Sequence, residues 1–457
     1  MTIVRGTVVT MNPGREIIRD GAVVIAGETI AGETIAAVGS FDEMRAAHPD
    51  EAISGHEGDL VLPGYVNGHQ HLTGDRLIQS SIPDDLPPGE AIFSWVVPVH
   101  GEHSPDDDEL SATLTLAESL SNGITTTFEA GTVAHPDRVV AAAQTVGARA
   151  TVGTWGWDVD QGPYTGSVDE VIERQRAALD LADGSRVSTW VSLVGHDLMS
   201  DELVVAASEL ARTRGVGMTF HLSPTTSDVD SYLARTGVRP LVHLSALGVL
   251  GPHVAVAHGV HLDSQEVALL IDSGAAVVSC PWAYLRLGQG LTREFRHLDL
   301  WREGGRLALG CDAENAGDMV DGIRTAALFA GVAKDAAVDP TIFGAHDALE
   351  LLTIAGAEAL GMSDQIGSLE VGKQADIVVH DRSRIEWIPR SPDPVLQLIW
   401  GSDGRSVRDV YVAGEHVVAD GQVQTVDVAA LAEEAQNAGH SLRTRSGIKA
   451  VSRWPSS

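Results

Sequence analysis

Between residues 61 and 360 the sequence alternates short apolar runs with segments of helical periodicity, eight times over, and few folds accommodate that rhythm. The runs are "LVLPGYVNGHQH", "GITTTFEAG", "ARATVGTWGW", "RVSTWVSLVGHD", "GVGMTFHLS", "HVAVAHGVH", "AAVVSCPWAY" and "RLALGCDAE". Strands that are apolar at nearly every position are covered on both faces, which is the condition of parallel strands flanked by helices. The segments between them, such as "VDEVIERQRAALDLA" and "DSQEVALLIDSG", are amphipathic. The second of these opens on Asp263 with Glu266 three residues later, the arrangement of a capping box. Eight such units predict an α/β chain folded as a (β/α)8 TIM barrel, with a doubly wound sheet as the alternative.

The flanks read differently. Roughly the first 60 residues alternate apolar and polar positions between turn signals, as short antiparallel strands do. Within them "AGETI" occurs twice in tandem, at 26–30 and 31–35, which lengthens one hairpin by five residues and is read as a tolerated surface insertion. Short strands return after residue 360 in "GSLEVGKQADIVVHD" and "VRDVYVAGEHVVADGQ". The division expected is therefore 1–60 and 361–425 as two parts of one small β domain, 61–360 as the barrel, and 426–457 as a helical, basic tail.

Bulk composition excludes several roles. With 44% hydrophobic and 21% charged residues in 457, the chain can bury a large core. A formal net charge of −32 repels nucleic acid and anionic membrane, so neither is an expected partner. No opening apolar run precedes a small-residue cleavage site and no stretch suits a membrane span, so a cytoplasmic protein is expected. Cys280 and Cys311 give no disulfide framework and read as buried thiols. A homo-oligomer is expected from general frequency.

Barrel chemistry gathers at the C-terminal ends of the strands. His69 and His71 end the first run one residue apart and, in a strand, share a face. His221 follows the fifth run, His258 the sixth and Asp312 the eighth. Imidazoles with a carboxylate suit Zn²⁺, Co²⁺, Fe²⁺ or Mn²⁺, and the residues alone do not choose among these.

The HxH pair, the later strand-end His221, "AHGVHL", "GCDAENAGD" and the tail "GSLEVGKQADIVV" together resemble the amidohydrolase superfamily, in its cytosine deaminase, S-adenosylhomocysteine deaminase and triazine hydrolase branch. The resemblance covers nearly the whole chain. It implies a distorted (β/α)8 barrel with a small β-sandwich built from both termini. It further implies one divalent metal ion, zinc foremost, on His69, His71, His221 and Asp312, with His258 as the catalytic histidine. The chain departs from these relatives in two places. Deaminases of the branch usually carry a glutamate three residues after the fifth-strand histidine, whereas Pro224 stands here in "HLSPTT". The fourth strand end, "SLVGHDL", lacks the lysine that some relatives carbamylate to bridge two metals. A mononuclear hydrolase of a non-peptide C–N bond in a linear amide, urea, carbamate or thiocarbamate is therefore the first expectation. A deaminase or chlorohydrolase of a purine, pyrimidine or triazine ring is the alternative.

Aromatic residues crowd the strand ends and loops: Phe93, Trp95, Trp155, Trp157, Trp282 and Tyr284. If Trp95, Trp155 and Trp282 line the pocket, the small-molecule substrate is largely apolar; packing is the competing role. Arg286 is a candidate for orienting a polar group of the substrate, or for a surface ion pair. Glu129, His196 and Asp197 also sit at strand ends, with structural hydrogen bonding as an equal alternative, while His243, His253, His261 and His297 read as structural. "GSLEVGKQ" imitates a phosphate-binding loop, but Gln374 replaces its Ser or Thr and no helix pattern follows. No G-x-S-x-G elbow occurs, and "SCPWAY" lacks the PCxxC of the unrelated zinc deaminases.

Overall fold

The computed structural model describes residues 2–29, 32–159, 162–182, 184, 186–449, 452 and 454, with the side chains of 28 and 29 left aside. Four strands open the chain: β1 (Thr2–Val9), β2 (Ile17–Thr29), β3 (Gly32–Ser40) and β4 (Ala52–Pro63). The barrel strands follow as β5 (Tyr65–Gln70), β6 (Ile124–Glu129), β7 (Arg149–Val152), β8 (Val187–Thr189), β9 (Val191–Gly195), β10 (Met218–Leu222), β11 (Val254–His258), β12 (Ala276–Ser279) and β13 (Arg306–Leu309). Four more close it: β14 (Ile377–His380), β15 (Val407–Val412), β16 (Glu415–Ala419) and β17 (Gln422–Val423).

All barrel pairings are parallel, in two arcs ordered β5-β6-β7-β8 and β13-β12-β11-β10-β9. β8 and β9 are two halves of the fourth strand, interrupted at Trp190. Trp190 is buried against Phe128 with ring centres 5.2 Å apart, and its indole N–H donates to the Glu129 carbonyl at 3.0 Å. A large indole packed among Phe128, Ala255 and Val278 helps fill the barrel, and the ladder breaks where that residue sits. The arcs join at the other seam through a parallel bridge between Gln70 and Asp312, where the Asp312 N–H donates to the His69 carbonyl at 2.9 Å. The first and last barrel strands are thus sewn together at the end that carries the histidines.

Strands from the two ends of the chain share one eight-stranded sheet, ordered β17-β16-β15-β14-β4-β1-β2-β3. It is mostly antiparallel, with β1 and β4 parallel, and encloses its own core of Val4, Val23, Ile35, Val61, Ile377 and Val379. The tandem "AGETI" forms the outer end of the β2–β3 hairpin, pairing Ala26 with Thr34 and Glu28 with Glu33; its residues 30 and 31 lie outside the described ones. The second copy is held by the returning chain, because Glu33 N–H donates to the Ala413 carbonyl at 2.7 Å and Ile35 N–H to that of Lys373 at 2.9 Å. A buried Arg149–Asp376 pair, with contacts of 3.0 and 2.9 Å, ties β7 to this sheet.

The alternation of strand and helix does not extend to residues 72–104, between β5 and the helix Pro105–Ser121. They form a cover of short turns: Arg76–Ile78, Pro88–Glu90, a π-helical turn at Ala91–Val96, and Val97–Gly101. The helix Val428–Ser446 lies against this cover, Leu442 packing with Leu77, Ile78 and Val99, and Arg445 pairing with Asp107 at 2.6 Å. Gly439 sits so close that a Cβ there would be 2.2 Å from the Leu77 carbonyl oxygen. Alanine is ordinarily the better helix former by about 1 kcal/mol. We therefore expect Gly439→Ala to reverse that sign and destabilise the fold by about 1–3 kcal/mol in chemical denaturation; a stabilised variant would refute the close contact.

Candidate metal centre and substrate cavity

The five strand-end residues meet at the top of the barrel. His69 and His71 emerge from β5, His221 from β10, His258 ends β11 and Asp312 follows β13. The ligand-type atoms of His69, His71 and His221 lie within 4.8 Å of one another. Asp312 Oδ1 is 3.4 Å from His71 Nε2 and 3.7 Å from His69 Nε2. His258 and Asp312 adopt left-handed backbone conformations, with φ of 76° and 67°, of the kind that clusters at functional sites.

Hydrogen bonding behind the rings fixes what they present. His221 Nδ1 is 2.7 Å from the Val194 carbonyl, which only accepts, so Nδ1 carries the hydrogen and Nε2 a lone pair. His71 Nδ1 contacts Thr132 Oγ1 at 2.8 Å. The Thr132 backbone N–H and that of Gly131 donate to the Glu129 carboxylate at 3.1 and 2.7 Å, which holds the threonine in place. The two Nε2 atoms then face each other at 3.4 Å. His69 is buried with no hydrogen bond at either ring nitrogen. Ring nitrogens so close, beside an orphaned imidazole, fit a shared cation.

The electrostatics favour neutral His69, His221 and His258 around an ionised carboxylate, with His71 the exception. Burial lowers His69, and it pushes His221 and His258 well down, with neighbouring rings adding to the shift and Asp312 opposing it at His69 and His258. Burial also lowers His71, but Asp312 outweighs it and the net direction is upward. Burial disfavours the Asp312 anion, yet His69 and His71 together hold its carboxyl well below the usual range. A second group able to take a metal, His69, Cys280 and Asp312, shares two of these residues. Burial raises the Cys280 thiol well above its ordinary value, so the protonated form prevails there.

The cavity over this cluster is walled by Ile82, Ile92, Phe93, Val96, Val97 and Trp155, with Leu287 and Val194 completing an apolar surface. Trp155 therefore stands where a substrate contact was expected. Trp95, Trp282 and Arg286 do not line the cavity. Trp95 turns into the cover's own core, because the π-helical turn presents Phe93 to the cavity in its place. Trp282 lies beneath the Arg324 guanidinium at 5.5 Å. Arg286 is held by Asp318 at 3.2 Å and donates to the Ile82 carbonyl at 3.4 Å, tying the cover to the strand ends. Pro224 lines the cavity.

His196 lies on the wall too, stacked on His221 with centroids 5.2 Å apart and Nδ1 3.1 Å from Asp228. Asp228 comes from the next strand–helix unit, so no local pattern announces the pair. Asp75, His100, Gln289 and Asn315 are polar wall residues that sequence reasoning did not single out, for want of any strand-end position. The four histidines read as structural all find hydrogen-bond partners: His297 Nε2 donates to the His258 carbonyl at 2.8 Å, His261 to that of Gln289 at 2.8 Å, and His243 and His253 contact Asp201 and Ser208 at 2.8 and 3.0 Å. Asp197 pairs with Arg235 at 2.6 Å. Cys280 and Cys311 are buried free thiols.

This barrel with its clustered histidines defines the class: the chain belongs to the amidohydrolase family, whose profile matches residues 60–417. An imidazolonepropionase-like composite domain of bacteria also matches at 30–50. Among its relatives, the chain is 30% identical over 432 residues to a 5-methylthioadenosine/S-adenosylhomocysteine deaminase of Moorella thermoacetica, covering 91% of this chain and 96% of that one. Its structure resembles an adenosine deaminase from Xanthomonas campestris with bound zinc, with TM-score 0.89, 28% identity and 97% and 98% of the two chains covered. It also shares its fold with atrazine chlorohydrolase TrzN from Arthrobacter aurescens TC1 complexed with zinc, at TM-score 0.86, 22% identity and coverage of 96% and 100%.

If Thr132 orients His71 for metal binding, Thr132→Val should weaken zinc binding by about 10- to 100-fold with the fold retained. Competition against a chromophoric chelator measures this, and unchanged affinity would show that the contact has no such role.

Proposed function

We propose that this chain is a mononuclear metal-dependent hydrolase of a non-peptide C–N bond in a small, largely apolar molecule. The amide, urea, carbamate and thiocarbamate classes head the reading. The observation that carries it is the pair of Nε2 atoms of His71 and His221, 3.4 Å apart with Asp312 Oδ1 3.4 Å from His71. His69, His71, His221 and Asp312 would hold one divalent ion, zinc first. When bound, such an ion supplies Lewis acidity and lowers the pKa of a water from about 16 to about 7.

The chain's residues divide the rest. Asp312 Oδ1 faces the ligand imidazoles and accepts the Ala313 N–H at 2.9 Å, which leaves Oδ2 to take the water's proton and return it to the departing nitrogen. His258, whose Nδ1 is 4.0 Å from Asp312 Oδ2 and 3.4 Å from the Tyr284 hydroxyl, stands to hydrogen-bond the oxygen that gains charge. The apolar wall excludes water from the acyl carbon.

Pro224 favours the linear substrates. It occupies the wall with no proton to give, so leaving-group protonation falls to Asp312. The second reading is a deaminase or chlorohydrolase of a purine, pyrimidine or triazine ring, and the deaminase named among the relatives supports it. No helix among the described residues is long and apolar enough to cross a membrane. A cytoplasmic homo-oligomer without nucleic-acid or membrane partners completes the proposal, on the strength of the net charge of −32 and general frequency.

A panel of linear and ring substrates, read by product, tests this. Linear compounds should release an alkylamine, an arylamine or a thiol, whereas ammonia or chloride from rings alone would transfer the assignment to the second reading. Chelation should abolish turnover and Zn²⁺ restore it. Asp312→Asn should cost about 10³-fold in kcat or more with unchanged circular dichroism, and a wild-type rate would remove Asp312 from the chemistry.

A further inference from the structure

Away from the metal-type ligands, the cavity holds a buried carboxylate that the proposed reaction does not use. Asp75 and His100 both line it. Asp75 is 1% exposed and its Oδ1 accepts no hydrogen bond; His100 Nε2 stands 3.5 Å from it. Its Oδ2 has only the Asn315 N–H, at a long 3.4 Å. Asn315 cannot help further. Its side-chain oxygen already accepts the N–H groups of Ser81 and Ile82 at 3.1 and 3.2 Å, and its amide donates to Ile78 at 3.3 Å.

The pair is held in place. Gly74, at φ 85°, lets the His100 ring lie against the backbone, where a Cβ would come 2.2 Å from Cε1. Trp155 meets the same ring edge-on at 5.3 Å. A buried carboxylate oxygen without a donor is costly, and structures seldom leave one unless a ligand completes it.

We infer that Asp75, positioned by His100, is the acceptor for an N–H group of the substrate, so that the enzyme selects N–H-bearing amides, ureas or carbamates over their N,N-disubstituted counterparts. The inference rests on the reading of this cavity as the substrate site of a C–N hydrolase. Much of the rest of the wall is apolar, from Ile82, Ile92, Phe93, Val96 and Val97, although His196, Gln289 and Asn315 also line it and Gln289 Oε1 is likewise buried without a partner. A buried carboxylate oxygen lacking a donor discriminates strongly, because a ligand without the matching hydrogen leaves it unpaired.

N-methylaniline carries that hydrogen, N,N-dimethylaniline has a methyl group in its place, and neither contains a hydrolysable acyl bond. Calorimetric titration of the zinc-loaded protein should give at least about tenfold tighter binding of N-methylaniline. The ratio should fall towards one in Asp75→Leu, and only in part in Asp75→Asn, whose amide oxygen still accepts, while zinc content stays the same. The kcat/KM ratio for methyl N-phenylcarbamate over its N-methyl analogue should fall in parallel, mainly through KM. Equal binding of the two anilines by wild type, binding of neither, or a preference that persists undiminished in both variants and so belongs to the metal, overturns the inference. An Asp75-dependent preference without turnover of any carbamate, amide or urea would sustain it and instead refute the proposed reaction.

Discussion

Two imidazole nitrogens pointed at each other govern this structure. His221 spends its Nδ1 hydrogen on the Val194 carbonyl and His71 contacts Thr132 through Nδ1, which leaves their Nε2 atoms 3.4 Å apart. Only a proton or a metal cation between them makes that approach favourable, and a buried His69 with no hydrogen bond adds to the cost of leaving the site empty. The surroundings supply the compensation. Asp312 is held ionised by the imidazoles it faces, and burial keeps His221 and His258 neutral. Three imidazoles and one anionic oxygen form a donor set that suits a divalent ion.

The barrel exists, in this sense, to oppose those groups. Parallel pairing sets His221 beside Ala257 and Leu222 beside His258, so neighbouring strands deliver their side chains at one level. The seam between β5 and β13 is closed by the backbone of the site itself, where Cys311 and Asp312 N–H groups donate to the His69 carbonyl at 3.1 and 2.9 Å. Barrel closure and the approach of Asp312 to the histidines are one event. The terminal sheet braces the barrel from the side through Arg149 and Asp376, and the helix Val428–Ser446 braces the cover. The strand ends set the histidine cluster, and the cover, together with Trp155, Val194 and Leu287, sets the apolar wall above it.

The strand ends were legible in the sequence because parallel buried strands leave an unmistakable apolar run, and the residue that ends each run must face the top of the barrel. His69, His71, His221, His258 and Asp312 could all be located this way. The cover was not legible. Between Leu72 and Ser104 neither the period of a strand nor that of a helix persists, and the π-helical turn shifts which aromatic faces inward, so that Phe93 and not Trp95 lines the cavity. Asp75 and His100 escaped notice because their meeting depends on that irregular backbone and on Gly74. His196 could be flagged as a strand end, but its partner Asp228 lies 32 residues on and is brought near only by the fold. The interruption at Trp190 likewise reflects how the barrel interior is filled, which no local pattern records.

X-ray absorption at the zinc edge of the purified protein reads the donor set of the ion itself. One ion per chain is expected, with nitrogen and oxygen neighbours alone at about 2.0–2.1 Å and the multiple-scattering signature of imidazole. A sulfur neighbour at about 2.3 Å would place the ion on the His69, Cys280 and Asp312 group instead, and protein that takes up no zinc would rule out the metal centre altogether.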